Sequence, residues 1–127
     1  MIYIGSGMTE NYYSRAMPYF KSLHKAIERE SKDIRYFFIG LDFNPDKILK
    51  EHKLEKDVIS VRLNLNKIHD PQNNIIQHGD FLEAEGPWKK NDYVLWLDCD
   101  TYFQRPLSNI DIENFKEDSI CAGILPN

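Results

Sequence analysis

Two aspartates, Asp98 and Asp100, stand two positions apart directly after the apolar run Tyr93-Val94-Leu95-Trp96-Leu97. Side chains two apart on an extended chain point the same way, so both carboxylates are expected on one side, just beyond a strand end. Two anions that close repel unless something positive lies between them. Hard oxygen donors suit Mg²⁺ or Mn²⁺, and an ion held by few protein ligands keeps positions open for phosphate oxygens. The alternative is that one Asp closes the next turn and the other is merely solvated. The apolar strand before the pair favours the metal.

The elements that would position this pair follow from hydrophobic spacing. Residues 2–5 form a short apolar run expected to end in a Gly5-Ser6-Gly7 loop. Thr9 or Asn11 then suits a helix cap. From Tyr12 to Arg29 the apolar residues fall at helical spacing, with Pro18 early in the helix, where it would bend it or delay its start. Ile34 to Leu41 is rich in β-branched and aromatic residues and predicts a buried strand. Pro45 fits the first turn of a second helix running to about His52, and 58–61 predicts a third strand. A loop over 66–74, a helix near 75–85, the strand 93–97, a short helix over 112–116 and a strand over 119–124 complete the reading.

Strands alternating with helices predict an α/β domain, a mainly parallel sheet flanked by helices. Ligands of such sheets bind beyond the carboxyl ends of the strands. That rule selects two segments on one sheet edge, Gly5-Ser6-Gly7 and Asp98-Cys99-Asp100.

Composition narrows the classes. The 127 residues suffice for a single domain, 1–127, and 42% hydrophobic with 28% charged residues argues against disorder. A net charge of −4 with scattered lysines gives no footprint for nucleic acid. No apolar run reaches the length of a membrane span, and no signal peptide is visible at Met1. Two cysteines, Cys99 and Cys121, do not make a disulfide framework. A reducing, cytoplasmic setting is expected.

Leu95-Trp96-Leu97-Asp98-Cys99-Asp100, followed by Pro106-Leu107, resembles the Asp-x-Asp segment of nucleotide-sugar glycosyltransferases with the A-type fold. Glu10-Asn11-Tyr12, followed by Ser22-Leu23 on the first helix, is similar to the opening of the family 8 glycosyltransferases, which include glycogenin and bacterial lipooligosaccharide galactosyltransferases. The resemblance implies a Rossmann-like nucleotide-diphospho-sugar transferase fold. It implies a metal-dependent transfer of sugar from a nucleoside diphosphate sugar, UDP-linked, to an unidentified acceptor. Asp100 would chelate the Mn²⁺ or Mg²⁺ that bridges the diphosphate. Asp98 would contact the ribose and share the metal. Gly5, Ser6, Gly7, Thr9, Asn11 and Tyr12 would wrap the nucleoside, with Tyr12 near the base. Equally, Tyr12 reads as a core residue of the first helix.

The chain departs from that family in two places. Where members carry a basic residue before the Asp-x-Asp strand, this one has Gln77-His78-Gly79-Asp80-Phe81-Leu82. His78 and Asp80 are its polar candidates for sugar contact; an ordinary surface residue is the other reading of His78. The late metal-binding His of the family has no counterpart, because His24, His52, His69 and His78 all precede Asp98. The chain is therefore expected to be truncated, to lack the acceptor-binding part and to show little transfer by itself. An exposed edge at its last strand would permit self-association. Two other functions compete: a non-catalytic nucleotide-binding or assembly module, and a phosphatase of the haloacid dehalogenase type with Asp98 as nucleophile. The latter's motif opens its domain and puts Thr or Val where Tyr102 stands here.

Overall fold

Eight residues in a row, Ile34–Leu41, include Ile34, Tyr36, Phe37, Phe38, Ile39 and Leu41, all buried. A strand apolar on both sides can sit only inside a sheet covered on both faces. In the computed structural model, which describes residues 1–27, 34–64, 86–89 and 92–104, this segment is an inner strand of a four-stranded sheet. The described elements are β1 (Ile2–Thr9), a 3-10 turn (Glu10–Tyr12), α1 (Tyr13–Ile27), β2 (Ile34–Leu41), α2 (Asp46–Glu51), β3 (Val58–Leu63) and β4 (Tyr93–Trp96). The sheet order is β3-β2-β1-β4, and every described pairing is parallel. This is an α/β arrangement, as the alternation of strands and helices predicts.

Period-two alternation sorts the strands onto two faces. Ile2, Ile4 and Met8 of β1 join Ile34, Tyr36 and Phe38 of β2 in one cluster with Ala16, Tyr19, Phe20, Leu23 and Ala26 of α1. Ile48 and Leu49 of α2 pack into the same cluster. Phe37, Ile39, Leu41, Val61 and Leu63 face the other way, where Trp88 lies over them. The steps β1–α1–β2 and β2–α2–β3 move one way along the sheet, so right-handed crossovers put both helices on one face. The chain from β3 to β4 moves the other way, and Trp88, which belongs to it, packs on the opposite face.

Several boundaries differ from expectation. β1 runs on to Thr9, so Gly5, Ser6 and Gly7 are strand residues and not a loop. The reason is close packing: a Cβ on Gly5 would run into the carbonyl and ring of Phe37, and one on Gly7 would lie 2.7 Å from the Trp96 indole. These glycines make room for neighbours on the adjoining strands. α1 begins at Tyr13, well before Pro18, so Pro18 does not delay it. β3 extends to Leu63, two residues past the expected end. Pro45 is the residue before α2, with Asn44 Oδ1 accepting from the Asp46 N–H at 3.0 Å. The segments expected at 66–74, 75–85, 112–116 and 119–124 lie outside the described residues, as do His78, Asp80 and Cys121. No described helix is long and apolar enough to cross a membrane.

Candidate functional site

β1 and β4 lie side by side, Gly5 opposite Trp96, and the Leu97 N–H donates to the Gly5 carbonyl at 2.8 Å. Their carboxyl ends therefore open on the same edge. The connection after β1 leads to one side of the sheet, and β4 is reached from the other. This is the topological switch point at which open α/β sheets form a crevice.

On the β1 side the strand passes into the 3-10 turn. Thr9 precedes that turn but makes no side-chain cap; its hydroxyl donates to Asn11 Oδ1 instead. Asn11 lies within the turn, so neither residue caps α1 by its side chain as expected. Tyr12 is 41% exposed, so the core reading of this residue fails. Its neighbour Tyr13 takes the inward position and packs against the core cluster. Arg15, which the sequence did not single out, holds its guanidinium 5.2 Å from the centre of the Tyr12 ring. Its Nη1 lies 3.4 Å from the Tyr12 hydroxyl. A cation over one ring face is attracted by the ring quadrupole and steadies the ring's orientation.

On the β4 side the regular strand ends at Trp96, and Leu97 continues the ladder by a single bond. Asp98 to Thr101 is a turn, not an extended continuation. The Thr101 N–H donates to the Asp98 carbonyl at 3.2 Å and its hydroxyl to the same oxygen at 2.6 Å. In–out alternation nonetheless persists through it. Leu97 is buried and Cys99 packs against the same core cluster, while Asp98 and Asp100 are exposed. Burial pushes the Cys99 thiol up and the Asp100 carboxylate adds to that; a backbone hydrogen bond opposes them, and Asp98 makes the smallest contribution, upward.

Gly5 and Ser6, expected among the nucleoside contacts, are fully covered, and Gly7 lies under Trp96. The exposed residues of the two connections include Glu10, Asn11, Tyr12, Asp98, Asp100 and Tyr102, with Thr9 half-buried. Among the described residues no group of three or more His, Cys, Asp or Glu is placed to hold a metal ion. A cavity of about 600 Å³ lies elsewhere, lined by Arg35, Asp46, Lys50, Asp57 and Ser60. Its mixed charges select no ligand, and it shares no residue with the carboxylate turn. No family model, curated protein or solved structure matches the chain.

Proposed function

We propose that this chain is the nucleotide-sugar-binding part of a metal-dependent glycosyltransferase, using a UDP-linked donor. The observation that carries the reading is the pairing of β1 with β4. It brings an exposed aromatic turn, Asn11-Tyr12, and an exposed acidic turn, Asp98–Asp100, to one edge at the switch point. The Tyr12 ring offers a face for stacking a base. The Thr9–Asn11 pair offers polar groups to the nucleoside beside it. Asp98 takes the ribose and, with Asp100, the cation, Mn²⁺ or Mg²⁺. When bound, that cation supplies neutralisation of the charge that develops on the departing diphosphate. The acceptor is a second substrate whose chemistry these residues do not specify.

Titration calorimetry with uridine, guanosine, adenosine and cytidine diphosphates, each with and without Mn²⁺, tests the reading. Metal-dependent binding that prefers UDP is the expected result. Absence of metal-dependent binding to every member of the panel would sink it. Binding without transfer to any acceptor would instead identify a binding module.

A further inference from the structure

The arc that carries Asp98 and Asp100 is anchored at both ends. Upstream, the Leu97 N–H is held by the Gly5 carbonyl at 2.8 Å. Downstream, the buried Phe103 N–H donates to Ser22 Oγ at 2.7 Å. The Phe103 ring adds to that anchor, lying 5.6 Å from Tyr19 and 6.3 Å from Tyr36 between ring centres. Between the anchors the turn is closed on itself through Thr101 and the Asp98 carbonyl.

Of the groups accepting these bonds, only Ser22 Oγ belongs to a side chain, so it alone is open to substitution. Ser22 lies in α1, 7% exposed. Its hydroxyl donates to the Tyr19 carbonyl at 3.1 Å. A hydroxyl has one proton to give, so this bond turns the oxygen's acceptor side to the incoming N–H. Such a bond to the preceding turn is the usual resting place for Ser inside a helix. Here it orients an acceptor for a residue 81 positions away.

α1 also begins directly after Tyr12. One helix thus carries the aromatic turn at its start and the clamp for the acidic turn in its body. The geometry points to Ser22 as a positioning residue for the carboxylate pair: by seating Phe103 on α1 it sets where Asp98 and Asp100 stand relative to Asn11 and Tyr12. This rests on the nucleotide-sugar reading above. Ser22 touches no ligand; it acts through the backbone of residues 98–103.

The experiment is calorimetric titration of UDP at saturating Mn²⁺ into the full chain as wild type, Ser22→Ala, Ser22→Thr and Val58→Ala. Val58 is a buried residue at the start of β3, away from this edge, and serves as a control for general destabilisation. Ser22→Ala should weaken binding by about tenfold or more, the usual cost of removing a group that orients metal ligands. Ser22→Thr, which keeps the hydroxyl, should restore it, and Val58→Ala should bind as the wild type does. Should Ser22→Ala not fold, Ser22→Cys, a much poorer acceptor, carries the same test. Wild-type affinity in Ser22→Ala or Ser22→Cys would overturn the positioning role alone. So would an equal loss in Val58→Ala, or failure of Ser22→Thr to recover. If the wild type binds no UDP with Mn²⁺, the nucleotide reading falls and this inference with it.

Discussion

Trp96 lies across Gly7, its Cη2 atom 2.7 Å from where a Cβ on Gly7 would stand, with the Ile39 carbonyl at 3.0 Å on another side. A methyl group at Gly7 must displace the indole. Overpacking of this kind costs about 1–3 kcal/mol. Gly7→Ala should therefore lower the melting temperature by several degrees. Gly5→Ala should be worse, because the obstacle there includes the backbone carbonyl of Phe37, which cannot swing aside. Thermal melts of both variants check the order; equal stability of Gly5→Ala and wild type would refute the packing account.

Asp100→Asn and Asp98→Asn should separate a ligand-binding role from a structural one. Both carboxylates are exposed. Exposed substitutions away from packed features stay within about 0.5 kcal/mol, so neither change should move the melting temperature without ligand. Mn²⁺ with UDP should stabilise the wild type by mass action. Asp100→Asn should abolish that increment and Asp98→Asn should reduce it less. Four melting curves for each variant decide the matter: alone, with Mn²⁺, with UDP, and with both. A full shift retained in Asp100→Asn would remove the metal assignment.

His52 predicts a pH dependence of stability. Its ring stacks on Phe20, centres 5.3 Å apart, and Nε2 lies 2.8 Å from the Tyr13 hydroxyl. Its own carbonyl lies 2.7 Å from Nε2 of His24. Burial lowers the His52 pKa, Glu51 opposes that, and His24 and Lys21 of α1 reinforce it. The folded state thus favours the neutral ring. The stability this confers is present above the unfolded value of about 6.5 and is lost as pH falls from there through the depressed folded value. The melting temperature of wild type should drop more between pH 7.5 and 5.5 than that of His52→Asn. Parallel pH profiles would show that His52 contributes nothing to the slope.

The Cys99 thiol should react slowly. With its pKa raised by burial and by Asp100, little thiolate exists near neutrality, and the thiolate is the reactive form. In a Cys121→Ser background, alkylation by iodoacetamide at pH 8 should be slower than that of a free thiol. Asp100→Asn should accelerate it. An unchanged rate would mean that the acids do not bear on this sulfur.

The sequence was legible where local chemistry decides structure. β2 matches its expected span, 34–41, because its apolar side chains alternate to both faces and suit only a covered strand. β4 was legible as a strand from its apolar run, but not in its place: among the described residues it is the outermost strand of the sheet, with Tyr93 exposed and Val94, Leu95 and Trp96 half-buried, where so apolar a run predicts a covered inner strand. Gly5-Ser6-Gly7 was misread because glycine usually punctuates a chain. Here it answers to Phe37 and Trp96, residues on other strands that no local window contains. Tyr12 and Tyr13 differ only in helical phase, so core and surface could not be separated before α1 was known to begin at Tyr13. The Ser22–Phe103 bond, 81 positions apart, leaves no mark in spacing, whereas the Arg15–Tyr12 contact has the i, i+3 spacing of a helical turn.

The strand order also constrains how this chain comes together during synthesis. Tyr36 pairs with Val58 and Ile2 with Ile34, so β1, β2 and β3 can assemble once the ribosome has released residues up to Leu63. Ile2 must also pair with Tyr93, which is made much later. Until then β1 holds one side of its backbone unpaired, and that row of donors and acceptors is a template for a strand from any nascent neighbour. Tyr93–Trp96 is thus the segment whose arrival covers that side of β1, and the acidic turn is delivered in the same step.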